Sequence, residues 1–268
     1  MGVPGQTIEA ISSGRNPLLK EIRRAAHRGA LTPDGCAVAE GFHLLREALR
    51  SRTPVKAILH AESAAPEVDR ELTTTPPLRR IVLPDRLFHE IATTEHSQGV
   101  ITLAAPPHWD WDHLLPTRPL LLVLDGLQDP GNAGGAVRLA EAFGATGVVF
   151  AKGSAHPWNP KTLRASAGSL FRVPMLAGVE PTEVRTRLES AGIDLYAAMP
   201  RGETLLGDAD LTRPAAFIIG SEGRGVSETF RLGLRTLRIP TEGVESLNAA
   251  MAAAVLLYEA RRQRMERP

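Results

Sequence analysis

Three short blocks in the second half of this chain each follow an apolar run of the length of a buried strand. DPGNAGGAVR at 129–138 comes after the run Leu120–Leu124. IIGSEGRGVS at 218–227 completes the run Phe217-Ile218-Ile219, and IPTEGVESLNAAMAAA at 239–254 follows Leu237–Ile239. Uninterrupted apolar runs are what strands buried on both faces of a parallel sheet require. Ligands of open α/β sheets bind outside the carboxyl ends of the strands, which is where the small and polar residues of these blocks would stand. The chain is therefore expected to contain a parallel α/β domain with its working residues gathered at one end of the sheet.

The rest of the second half agrees with that reading. Strands are expected at Gly147–Phe150 and Asp194–Ala198, with Ala215–Ile219 and Leu237–Ile239 beside them. Helices are expected over Asn132–Phe143, Lys161–Leu170, Thr182–Ala191 and Ser246–Arg262. Alternation of this kind points to a doubly wound α/β fold. Residues 14–106 read as a separate, small α/β unit. Asn16-Pro17 opens a helix, and Cys36–Glu40, Val55–His60, Arg80–Leu83 and Gly99–Ala104 are strand candidates, with helices at Phe42–Leu49 and Leu87–Thr93. Between the two, Pro106-Pro107 together with Pro116 and Pro119 cannot propagate regular structure. The expected division is 1–106, a linker at 107–118, and 119–268.

Composition excludes several classes. A 43% hydrophobic and 23% charged chain is ordinary for a globular protein. The single cysteine, Cys36, rules out an internal disulfide or a zinc site built from several cysteines, and no metal is expected. No apolar run is long enough to span a bilayer, and MGVPGQTIEAISSGRN lacks a secretion signal, so a cytoplasmic location is the default expectation. A net charge of +1 does not by itself announce a nucleic-acid partner. Its distribution says more: Arg15, Lys20, Arg23, Arg24 and Arg28 crowd the first helix, and Arg261, Arg262, Arg264 and Arg267 cluster near the end. Such clusters neutralise phosphates or form a solvated face.

Each block has a structural and a chemical reading. Gly131, Gly134 and Gly135 after a strand invite comparison with a dinucleotide fingerprint. That fingerprint needs G-x-G-x-x-G, whereas the spacing here is G-x-x-G-G, and Glu141 comes too early for the ribose acid. Asn132 suits a helix start, and an arginine such as Arg138 binds a phosphate or orients a hydroxyl bidentately. In the second block, Glu222 lies among glycines that let backbone approach a ligand closely, or serves as a carboxylate at a helix start. In the third, Ser246 is a candidate N-cap. Leu247, Met251, Ala254 and Tyr258 share a helical face, which reads as core.

Taken together, with Asn132, Arg138, Glu222, Ser246 and Asn248 in register, the blocks resemble the three signature motifs of the TrmH (SpoU) family of RNA ribose 2′-O-methyltransferases, of the SPOUT superfamily. The resemblance covers most of residues 119–262. Residues 14–106 resemble, more loosely, the ribosomal-protein-like RNA-binding domain that often precedes it. The resemblance implies a trefoil-knotted SPOUT methyltransferase domain with a parallel sheet, a homodimer packed on the alanine-rich closing helix, and S-adenosyl-L-methionine as cofactor. It implies a catalytic cluster of Asn132, Arg138, Glu222, Ser246 and Asn248. Cofactor contacts would come from Ala197, Ala198, Gly220, Ser221, Ile239, Pro240 and Leu247, and RNA contacts from Lys20, Arg23, Arg24 and Arg28.

The reaction so implied is methylation of a ribose 2′-hydroxyl in structured RNA, ribosomal 23S RNA in the first place. A tRNA substrate, a catalytically silent RNA-binding module and a dinucleotide-dependent oxidoreductase are the alternatives. In the family the arginine matching Arg138 has been given the role of base. A guanidinium pKa above about 12 makes deprotonation costly. An electrostatic role at a phosphate or a developing alkoxide suits it better, with Asn132 and Glu222 holding Arg138 and the loop, and Ser246 and Asn248 orienting ribose or cofactor.

Overall fold

The computed structural model describes residues 8–266, so Arg267 lies outside the described residues. These residues fall into two compact units. One runs to Pro107 and adds Trp158–Phe171; the other comprises His108–Pro157 and the chain from Arg172 onward.

The first unit is built on β1 (Ile8–Ala10), α1 (Pro17–Arg28), β2 (Ala37–Glu40), α2 (Phe42–Arg50), β3 (Val55–Ala61), α3 (Ala65–Glu71), β4 (Arg80–Leu83), α4 (Asp85–His89) and β5 (Val100–Ala104). Its sheet has the order β1-β4-β3-β5-β2, with β1, β4 and β3 parallel and β5 antiparallel to both neighbours. Helix α1 starts where Asn16 accepts a hydrogen bond from the Leu18 amide at 2.9 Å, with Pro17 pre-set for the first turn. It stops at Gly29, whose φ of 63° is left-handed. Leu19, Ile22 and Ala25 face the core, which leaves Lys20, Arg24, His27 and Arg28 exposed along the opposite side. Arg23 differs from its neighbours. Its guanidinium donates to the Leu19 and Gly14 carbonyls at 3.3 and 2.6 Å and meets Glu90 at 3.5 Å, so it serves the unit itself rather than an open surface.

The second unit contains α5 (Trp111–Leu114), β6 (Leu120–Asp125), α6 (Pro130–Phe143) and β7 (Gly147–Ala151). The chain then gives α7 (Pro160–Ala165) to the first unit before resuming with β8 (Met175–Val179), α8 (Pro181–Ser190), β9 (Asp194–Ala198), β10 (Thr204–Leu205), β11 (Ala215–Gly220), α9 (Glu228–Arg231), β12 (Arg235–Arg238) and α10 (Ala249–Glu266). All strands of its sheet are parallel, in the order β10-β12-β9-β11-β6-β7-β8. The chain leaves β6 outward through β7 to β8 and reappears on the other side of β6. The β6–β11 junction is therefore a topological switch. Among the described residues no helix is long and apolar enough to cross a membrane.

Three sequence expectations change here. The proline-rich stretch after Pro107 is not featureless. Asp110 caps α5 by accepting from the His113 amide at 3.2 Å, and Leu114 is fully buried against Gly147. A side chain at Gly147 would overlap Leu114, so this turn belongs to the core of the second unit. The helix expected over Lys161–Leu170 ends at Ala165, because Ala167 and Gly168 adopt φ of 49° and 85° and break the ladder. Its residues pack in the first unit: Leu163 is fully buried, and Arg164 donates to the Thr93 hydroxyl at 2.7 Å. The Thr93 amide in turn donates to the buried Glu40 at 2.6 Å. Burial pushes the Arg164 guanidinium below its ordinary value. Finally, the closing helix begins at Ala249 rather than Ser246. Its buried side is Ala249, Ala250, Ala253, Leu256, Leu257 and Ala260, while Met251, Val255 and Tyr258 are 59, 38 and 56% exposed. The face read as core points outward.

Candidate active site

The carboxyl ends of β9, β11 and β12 and the start of α10 enclose one cleft in the second unit. It holds about 710 Å³ of space, open solvent included. One wall is apolar, with Ala198, Met199, Ile219, Leu237, Ile239 and Leu247. Ser221, Glu222, Thr241, Glu245 and Ser246 supply polar groups.

The second block forms the floor through a tight fold-back. The Gly225 amide donates to the Ser221 carbonyl at 2.7 Å, and a Cβ on Gly220 would overlap the backbone of Gly225 and Val226. Only glycine permits that approach. Asp125, 5% exposed at the end of β6, accepts from the Ser227 amide at 2.6 Å and so pins the returning limb. A charge-assisted bond of this kind is among the stronger ones available.

The loop thus fixed presents Glu222 to two asparagines. Asn132 Nδ2 donates to Glu222 Oε1 at 2.7 Å, Asn248 Nδ2 donates to the same oxygen at 2.8 Å, and Asn248 Nδ2 also reaches Asn132 Oδ1 at 3.0 Å. One carboxylate therefore ties the start of α6, the β11 loop and the start of α10 together. Both asparagines are themselves held. Asp129 accepts from the Asn132 amide at 2.7 Å, and Asn248 Oδ1 accepts from the amides of Ala250 and Met251 at 3.0 and 3.4 Å. Asn248, and not Ser246, is the N-cap of the closing helix. Ser246 stands two residues earlier and lines the cleft.

The sequence-derived residues divide clearly. Ala198, Gly220, Ser221, Ile239 and Leu247 line the cleft together with Glu222 and Ser246. Ala197 does not: it is fully buried within β9, because adjacent strand residues point to opposite faces and its neighbour Ala198 takes the cleft side. Pro240 is exposed and lies off the wall. Arg138 is exposed on α6 and makes no hydrogen bond or ion pair among the described residues. The expectation that Asn132 and Glu222 hold Arg138 is not met, since they hold each other and Asn248. Met199 and Pro200, which end the strand segment Tyr196–Pro200 that resembles the family's adenosine contact, also line the cleft, whereas Thr241 and Glu245 of the third block were not singled out from the sequence. Among the described residues no three His, Cys, Asp or Glu side chains gather as a metal site would.

Residues 119–258 match the model of the SpoU rRNA methylase family. The chain belongs to that family. Residues 16–102 match the MRM3-like substrate binding domain. The 23S rRNA (guanosine(2553)-2′-O)-methyltransferase RlmP of Bacillus subtilis is 32% identical over 95% of this chain and 100% of its own. The 23S rRNA (uridine(2479)-2′-O)-methyltransferase of Streptomyces viridochromogenes is 34% identical over 89% of this chain and 87% of its own. The crystal structure of the SpoU methyltransferase AviRb from the latter organism, in complex with the cofactor AdoMet, superposes with a TM-score of 0.84 at 29% identity, covering 94% of this chain and 99% of that one. An α/β fold with a parallel sheet and a preceding substrate-binding domain is thus common to this chain and its family.

The cleft suits such a cofactor. Its apolar wall suits an adenine face, and Gly220, with no side chain, adds main-chain polar groups to the lining. The carboxylates of Glu222 and Glu245 complement the positive charge of a sulfonium amino acid.

Proposed function

We propose that this protein methylates a ribose 2′-hydroxyl of structured RNA, with 23S ribosomal RNA as substrate and S-adenosylmethionine as methyl donor, in the cytoplasm. The observation that carries this reading is the Glu222–Asn132–Asn248 knot of hydrogen bonds at the mouth of an apolar strand-end cleft. Two relatives of matching length, RlmP and the Streptomyces viridochromogenes enzyme, act on 23S ribosomal RNA by their names, which favours that RNA over tRNA. Mapping 2′-O-methyl sites in RNA from cells with and without the gene tests it. Loss of one ribose methylation supports the reading, and an unchanged map contradicts it.

When bound, S-adenosylmethionine supplies a methyl group on a positively charged sulfur. The chain does the rest. The wall from Ala198 to Leu247 holds the donor, Asn248 holds Glu222 in place, and Ser246 sets the orientation of the ribose, which contributes by removing unproductive geometries. The Arg138 guanidinium steadies negative charge at the 2′-oxygen or on a neighbouring phosphate. Because Arg138 stands free of the cleft network in its own chain, it serves the site of a partner subunit. The chain is therefore a homodimer, paired through the outward face of α10 bearing Met251, Val255 and Tyr258, with Phe143 edge-on to Tyr258 at 5.8 Å. The trefoil path implied by the family motifs belongs to the same proposal.

Replacing both Met251 and Tyr258 by glutamate is expected to give a monomer by light scattering, with methyl transfer reduced at least tenfold. A dimer of unchanged activity would contradict the pairing.

The first unit selects the RNA. Lys20, Arg24 and Arg28, exposed on one side of α1, contact phosphates, whereas Arg23 is occupied within its own unit. Of the basic cluster near the end of the chain, Arg262 is paired with Glu259 and Glu266. Arg264 donates to the carbonyls of Leu211 and Arg213, and burial pushes it down to about 10. Arg262 and Arg264 therefore serve the fold. Charge reversal at Lys20, Arg24 and Arg28 together is expected to weaken RNA binding by roughly tenfold or more and to flatten its salt dependence, with cofactor affinity unchanged. Unaltered RNA affinity would return α1 to a solvated face.

A further inference from the structure

A second depression opens in the second unit beside the cofactor cleft, at the sheet edge formed by β12 and β10. It encloses about 980 Å³ of space, solvent included, and Met199 lines both it and the cleft. Arg201, Arg231 and Arg235 stand around it against one carboxylate, Glu203. The three arginines come from separate segments, the β9–β10 loop, α9 and β12, so no basic run in the sequence announces them.

Their pairing is incomplete in a way that leaves charge available. Arg231 makes no side-chain hydrogen bond or ion pair among the described residues. Arg201 meets Glu245 at 3.4 Å, but the two side chains are 89 and 77% exposed, and water screens such a pair heavily. Arg235 is oriented from behind: it donates to the Tyr196 hydroxyl at 3.3 Å, its guanidinium carbon lies 5.9 Å from that ring, and Asp194 Oδ1 is 3.6 Å away. Its side chain is still 61% exposed. Planar guanidinium forks with free donors match the oxygens of a phosphodiester, and a pre-oriented fork loses less freedom on binding one. The Arg201–Glu245 pair also links the depression to the cleft, because Glu245 lines the latter.

We propose that this depression is a docking groove for the phosphodiester backbone of the substrate RNA, engaged while the reacting ribose occupies the neighbouring cleft. The assignment rests on the RNA-methylating function proposed above. Phosphate contacts fix position and orientation without reading sequence, so the groove sets how the strand crosses the site and the first unit chooses which strand.

The test uses the full chain with R201E and R231E combined, and filter binding of radiolabelled, protein-free 23S rRNA over a series of salt concentrations. Affinity at low salt is expected to fall roughly tenfold or more. The slope of log affinity against log salt should shrink by about 1.4 to 1.8, the contribution of two phosphate contacts. The melting temperature should not change, and R201K with R231K should keep most of the RNA affinity. Unchanged affinity and slope in the folded glutamate variant would overturn the groove and leave the enzymatic reading standing. Failure of the unaltered protein to bind RNA at all would overturn both. Should the glutamate variant not fold, arginine modification by phenylglyoxal decides the matter. RNA is expected to protect Arg231 in the unaltered protein, and equal modification with and without RNA would overturn the groove.

Discussion

Arg138→Ala is expected to slow methyl transfer on the order of a hundredfold or more, while S-adenosylmethionine binds as before. The size follows from removing one electrostatic group at a reacting oxygen. The separation of effects follows from the structure. Arg138 lies outside the cleft of its own chain and outside the Glu222 network, so no cofactor contact is lost within that subunit. Arg138→Lys keeps the charge and loses the planar fork, and it is expected to remain badly impaired. Single-turnover methyl transfer and calorimetric titration read the two quantities separately. Near-normal transfer by the alanine variant would remove Arg138 from the mechanism.

Gly220→Ala is expected to weaken cofactor binding at least tenfold and to bring turnover near the limit of detection. The added methyl would occupy the space of the Gly225 carbonyl and the Val226 nitrogen, all backbone, and the fold-back must open to admit it. Opening displaces Glu222, and with it the tie between α6 and α10. Gly223 offers the matched control, because a Cβ there meets nothing within 4 Å. Gly223→Ala should therefore bind the cofactor almost as the unaltered protein does. Equal affinities for the two variants would show that the close approach at Gly220 has no part in the site.

Much of the second unit was legible because its central strands are apolar without interruption. Leu120–Leu124 and Ala215–Ile219 could be buried only in the middle of a parallel sheet, and both are. Strand β8 was not legible. Met175–Val179 is a short edge strand that follows Pro174 and is broken by Gly178, whose φ of 74° is left-handed, and its Ala177 and Gly178 are exposed. The facing of α10 was ambiguous for a different reason. Apolar residues surround the helix, so no single stripe stands out, and only packing against α6 decides which alanines turn inward. In the site, the block residues Glu222, Asn132 and Asn248 were visible one by one. Their mutual hydrogen bonds join positions 90 and 116 residues apart, and no local pattern encodes that. Asn248 displaced Ser246 as the cap because the helix starts three residues later than its alanine-rich composition suggested.

The central claim is tested most directly by incubating the protein with protein-free 23S rRNA and S-adenosylmethionine carrying a tritiated methyl group, then hydrolysing the RNA with alkali. Alkali cleaves RNA by attack of the free 2′-hydroxyl, so a 2′-O-methylated linkage survives. The expected result is label confined to one alkali-resistant dinucleotide. Label released in mononucleotides, which places the methyl on a base, or no label in the RNA at all, would contradict the account.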